Sequence, residues 1–238
     1  MKVTPEELFE KLNNDFQITN QTGNIQFNLG DVNIVVKRRD VVGNIMQEWL
    51  EGWLQKNAID YSANPNTQLP PDIYLDPEDR TKNLLEVKAF NYDASPGFDV
   101  AEPVAYFKEL IEHPYMLWSY YIIFGYVMDE KTGIVTIKDM WLKHVWEITA
   151  PAKTTAMSIG GAAHKMRPTK WYNRTARSKK LFESKEDFLS AYIELLYKKH
   201  HGSVDNPKDK IIDAYKKFYG ETLKIQWWDI VKTNYFGE

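Results

Sequence analysis

The sequence predicts an α/β fold, a central mixed β-sheet flanked by α-helices. Three observations carry that expectation. Short β-rich runs recur between stretches of helical periodicity, which argues for a sheet with helices packed on it. SYYIIFGYVMD at 119–129 reads as the most strongly buried strand of the chain. VVGNIMQEWLEGWLQ at 41–55 places Val42, Ile45, Met46, Trp49, Leu50, Trp53 and Leu54 at helical spacing, one broad apolar stripe.

The elements follow in order. Thr4 before Pro5-Glu6-Glu7 is a helix start, with Thr4 as N-cap and proline in the first turn. Residues 25–37 alternate as a hairpin folded at Gly30-Asp31. After the 41–55 helix, strands are expected at 72–76 and 84–90, then a helix over 99–113. GIVTIKDMWL at 133–142 pairs with the 119–129 strand, and HVWEIT at 144–149 reads as one more strand. Ser184 with Asp187 resembles a capping box for a helix to about 199. A second helix runs from Pro207 to Tyr219 and stops at Gly220. The chain is expected to form a single domain over 1–238, with 150–180 a DNA-recognition loop and 184–238 a helical region.

Composition bounds the function. The 238 residues are 43% hydrophobic and 26% charged with net charge -3, an ordinary globular balance. Absence of cysteine excludes disulfides, thiol catalysis and thiolate zinc sites. The charged N-terminus and the lack of a long apolar run point to a cytoplasmic protein with no membrane partner. The five histidines lack metal-ligand spacing, and no Walker loop, G-x-S-x-G or dinucleotide fingerprint occurs.

The near-neutral total hides a basic segment. Lys153, Lys165, Arg167, Lys170, Arg174, Arg177, Lys179 and Lys180 lie between Ile148 and Phe182 with no acid among them. Such a block is what duplex DNA attracts. Lys165, Arg167, Lys170 and Arg174 suit bidentate contact with guanine, and Arg177 is a further DNA-binding candidate in the same segment. The small residues 158–163 would let main chain approach the base edges.

Acids interrupt two apolar runs. Asp72 opens IYL, and Glu86 and Lys88 are embedded in LLEVK. Strand alternation puts Glu86 and Lys88 on one face and Val87 on the other. If Asp72 lies on the neighbouring strand, two carboxylates and the Val87 carbonyl converge as hard oxygen ligands suited to Mg²⁺. A lysine beside them can orient or deprotonate water, the apparatus of phosphodiester hydrolysis. Asp76, Glu78 and Asp79 fall in the turn between and receive no role.

The pattern P-D…E-V-K looks like the PD-(D/E)xK nuclease motif. With LLEVKAFNYDASPGFDVA, YYIIFGYVM…GIVTIKDMWLKHVWEIT and RPTKWY, residues 70 to 190 resemble the NlaIV/NgoBV group of Type II restriction endonucleases. The resemblance implies a restriction-endonuclease-like core and a Mg²⁺-dependent homodimer. Such an enzyme cleaves both strands of double-stranded DNA at a palindromic site by metal-activated water, with GGNNCC as the group's sequence. A cognate DNA methyltransferase would act on the same site. It also implies Asp72 and Glu86 as metal ligands and Lys88 as the catalytic lysine. A further acid from the preceding helix would be Glu48 or Glu51, Glu48 being preferred. Asn91, Tyr92 and Ser95, just past the catalytic strand, are placed to hold the DNA backbone. The alternatives are a resolvase or nicking repair enzyme with the same motif, a non-catalytic DNA-binding protein, and a structural protein using the basic loop for assembly.

Overall fold

The computed structural model describes residues 1–66, 69–161 and 164–237. It divides into two compact units, one of 1–96 with 119–143 and one of 97–118 with 144–238.

The first unit holds the sheet. Its strands are β1 (Thr22–Leu29), β2 (Val32–Val36), β3 (Ser62–Ala63), β4 (Ile73–Tyr74), β5 (Leu84–Asn91), β6 (Tyr120–Met128) and β7 (Ile134–His144), in the spatial order β2-β1-β7-β6-β5-β4-β3. Strands β5 and β6 run parallel, with Val87 opposite Ile122, while β4 runs antiparallel to β5. The sheet is therefore mixed, as expected. Thr4 caps α1 (Pro5–Glu10) in a full capping box with Glu7. Helix α2 (Val42–Lys56) lays Val42, Met46, Leu50, Trp53 and Leu54 into a core shared with Leu85 and Val87 of β5 and Ile122 and Phe124 of β6. That contact fixes which face of β5 packs against α2, and so sends Glu86 and Lys88 to the other.

The second unit is mainly helical: α3 (Pro103–Glu112), α4 (Val145–Ile148), α5 (Lys185–His200), α6 (Pro207–Tyr219), α7 (Trp228–Val231) and α8 (Thr233–Phe236). Helix α5 is its centre, with Phe188, Leu189, Tyr192, Leu195 and Leu196 buried, and the Tyr192 hydroxyl donates to the Pro103 carbonyl at 2.6 Å. Two departures from the sequence expectation lie here. HVWEIT forms a short helix and not a strand, because Glu147 accepts from the His144 N–H and caps the turn. The 150–180 segment is not wholly irregular. It contains the small hairpins β8 (Pro151–Ala152) with β9 (Ala156–Met157) and β10 (Ile159–Gly160) with β11 (Lys165–Met166). Trp171 and Tyr172 are buried, which leaves the basic side chains to form the surface.

An aromatic shelf adjoins β5 in the first unit. The Trp141 ring stacks on Phe90 at 5.7 Å and lies parallel to Tyr92 at 6.2 Å. Gly125 makes room for it: a Cβ there would stand 2.8 Å from Tyr92 Cδ2 and 2.9 Å from Trp141 Cη2. Gly125→Ala is expected to lower stability by about 1–3 kcal/mol through overpacking, read by chemical denaturation.

Candidate active site

The site begins with the register of β4 on β5. Ile73 pairs with Leu85, so Asp72, one residue earlier, falls beside Glu86 and Val87. The main chain at Asp72 is pinned, its carbonyl accepting from Asn64 N at 2.9 Å, while the Asn64 side chain donates to the carbonyls of Leu69 and Pro71. Asp72 Oδ2 accepts from Val87 N at 2.8 Å. The carboxylate is thus fastened to the strand that carries the other acid. Lys88 Nζ donates to Glu86 Oε1 at 2.6 Å across the alternation of β5.

Charge is concentrated here at a cost. Glu86 is only 7% exposed, and its Oε2 is buried with no hydrogen-bond partner. Burial pushes the Asp72 carboxyl up to about 6, and the neighbouring Glu86 charge pushes in the same direction. The Val87 N–H and Lys88 pull it down, and Glu51 adds a further upward push. A buried carboxylate oxygen without a donor is a defect in a structural ion pair and an asset in a cation site. Asp76 is the contrast: it is also buried, but Lys2 at 3.0 Å and Lys82 at 3.7 Å hold it, and its carboxyl lies below the usual range. Its place is structural.

The donor set fits Mg²⁺. Among the described residues there is no ready-made group of three or more carboxylates and histidines. Mg²⁺ is ordinarily held by one or two carboxylates, the remaining positions going to water and phosphate oxygens. Asp72, Glu86 Oε2 and the Val87 carbonyl are the residues that would hold it.

The other expected residues fall into separate groups. Of the two helix acids, Glu51 reaches Asp72 with its charge and accepts from Gln47 Nε2 at 3.2 Å, whereas Glu48 is exposed. Asn91 ends β5, with its Oδ1 accepting from Asp93 N at 3.2 Å. Tyr92 N donates to the Tyr126 carbonyl at 2.7 Å, and Ser95 is exposed.

In the second unit, Lys165 Nζ meets Asp99 Oδ2 at 2.6 Å. Arg167 Nη1 lies 2.8 Å from Asp99 Oδ1, an ionic contact, and aims its directed bond at the Gly97 carbonyl at 2.6 Å. Arg167 lies flat over Gly160, where a Cβ would come within 2.9 Å of its Nε. Lys170 covers the Tyr172 ring at 5.2 Å, Arg174 donates to the Lys179 carbonyl at 2.8 Å, and Arg177 is exposed. Of the small stretch 158–163, Ala162 and Ala163 lie outside the described residues. Glu51 was the less favoured of the two helix acids read from sequence, while Asp99 and the Trp141 shelf were not singled out for the site and left no local signal there.

The family model of the NgoBV restriction endonuclease matches residues 2–235. The chain belongs to the NgoBV restriction endonuclease family. It is 46% identical over 242 residues to the Type II restriction enzyme NlaIV of Neisseria lactamica, covering 99% of this chain and 98% of that enzyme. It is 50% identical over 149 residues to the Type II restriction enzyme NgoBV of Neisseria gonorrhoeae, covering 63% of this chain and 84% of that enzyme. A solved structure, the NlaIV restriction endonuclease, superposes with a TM-score of 0.91 at 45% identity over 100% of this chain and 98% of that one. This family member is a Type II site-specific deoxyribonuclease with the α/β restriction-endonuclease fold.

One consequence concerns the metal-free protein. Because the folded Asp72 holds its proton up to about pH 6 and an unfolded aspartate loses it near 4, wild-type stability falls as pH rises through that window. Asp72→Asn keeps the bond from Val87 N–H and removes the penalty. In chelator at pH 7.5 it is expected to be more stable than wild type by about 1–2 kcal/mol. The difference should shrink below pH 4, and thermal melts across pH check it.

Proposed function

We propose that the enzyme hydrolyses both strands of double-stranded DNA at a short palindromic site, with Mg²⁺ held by Asp72, Glu86 and the Val87 carbonyl. The observation that carries this reading is the buried, unpartnered Glu86 Oε2 beside an Asp72 whose charge is disfavoured. A divalent cation bound there supplies charge stabilisation to the scissile phosphate and acidifies water. The chain's own residues do the rest. The Val87 N–H aims Asp72, and Glu86 holds the Lys88 ammonium 2.6 Å away, at the place where it orients the attacking water and stabilises the hydroxide formed from it. Glu51, not Glu48, has the charge contact with Asp72 and is the helix acid favoured for a supporting role.

The basic segment is proposed to read DNA. Lys165 and Arg167 share the single charge of Asp99 and so add less to general phosphate attraction than two free cations, while Arg167 is held in one orientation with donors to spare. Arg167 is therefore assigned to a base edge, and Lys170, Arg174 and Arg177 to phosphates. Asn91, Tyr92 and Ser95 are assigned to the backbone near the cut. The resemblance supports GGNNCC as the site, a homodimer with one active site per strand, and a cognate methyltransferase that protects the same sequence in a prokaryotic cytoplasm.

Lys88→Ala is expected to lose Mg²⁺-dependent cleavage by at least about 100-fold while still binding DNA, as cleavage assays and gel shifts would read. Loss of binding together with cleavage would count against a catalytic role. Arg167→Ala should relax selection at one base pair by about 1–3 kcal/mol with the salt dependence kept. Lys170→Ala should weaken all sequences alike and lower the salt slope by about 1.

A further inference from the structure

Four of the large hydrophobic side chains in water sit on one short arm. Phe27 is 54% exposed, Leu29 70%, Val32 59% and Ile34 50%. The cross-strand pairs Phe27 with Ile34 and Leu29 with Val32 put all four on the same face, with Asn28 and Asn33 on the other. Only Thr22, Gly23 and Asn24 of β1 pair with β7, so from Ile25 outward the ribbon has β2 as its sheet neighbour. A two-stranded ribbon with a bare apolar face is marginal in water and calls for a cover.

DNA is a poor cover for it. From Thr22 to Val36 there is no lysine or arginine and one acid, Asp31, and contact with phosphates needs cations. The same chain offers a better one. At the root of the arm, Ile25, Val42, Ile45, Met46, Trp49 and Ile137 line a cavity of about 170 Å³. A cavity of about 150 Å³ admits a benzene-sized ring, so Phe27 of another copy matches this one in size and chemistry.

A plug and a socket on one chain, set at the two ends of one ribbon, are the parts of a self-complementary two-fold contact. We propose that the β1–β2 hairpin is an exchange arm, each copy laying its apolar tip across the other copy's arm and seating Phe27 in the cavity at its root. The proposal rests on the homodimer reading above and gives it a surface. The four side chains expose on the order of 400 Å² of apolar area, the size at which a patch marks an association site. Two arms and the surfaces they cover come to roughly 1,600 Å², the size of a stable interface.

The absence of cysteine makes the test clean. Sedimentation velocity should find wild type as a dimer at micromolar concentration. Phe27→Asp with Leu29→Asp should be monomeric there, a weakening of at least about 100-fold, and should still unfold cooperatively, which shows that the monomer is folded. A Phe27→Cys protein mixed with an Ile45→Cys protein should form a covalent dimer on mild oxidation, far faster than either protein alone. A monomeric wild type, a dimeric arm variant, or no cross-link in the mixture overturns the proposal. A dimer dissolved by the arm variant supports it even if digestion reveals a non-palindromic site, and a monomeric wild type overturns it even if digestion reveals a palindrome.

Discussion

The hydrogen bond from the Val87 N–H to Asp72 Oδ2 joins two segments fourteen to fifteen residues apart and makes a site of them. It depends on the β4–β5 register, and that register depends on α2 burying Leu85 and Val87. Slipping β5 by one residue would turn Glu86 and Lys88 into the core and Val87 out of it. The packing of the core and the placing of the acids are one constraint. The protein accepts an unfavourable local state in return: a buried oxygen with no donor, and a carboxyl at about 6 that would otherwise ionise near 4. Sites built this way are less stable alone than with their ligand.

The basic segment is organised on different terms. Its positive charge is not uniform once folded, because Asp99 reaches two cations that sequence order places more than sixty residues away. Side chains oriented by a shared carboxylate are suited to discrimination, and the remaining cations to attraction. The arm is a third surface, apolar on one face and without a cation, and that chemistry suits protein better than nucleic acid.

Much of this was legible in the sequence because it was written in short periods. The alternation of LLEVK separates Glu86 and Lys88 from Val87, and the stripe on 41–55 announces the helix that enforces it. Local capping was legible at Thr4 and Ser184, yet the same signal at His144 and Glu147 was masked by Val, Trp and Ile, which favour strands. Contacts distant in sequence were not legible. Glu51 and Glu48 both lie off the apolar stripe, and periodicity does not say which of them looks toward Asp72. Asp76 looked like a cheap turn acid until Lys2, at the far end of the first unit's sequence, was found paired with it.

The most direct test is where a cation binds. Diffraction from crystals soaked in Mn²⁺, recorded at the manganese edge, should give an anomalous peak within bonding distance of Asp72, Glu86 Oε2 and the Val87 carbonyl, lost in Glu86→Gln. A peak elsewhere, or one that survives that substitution at full height, would contradict the account.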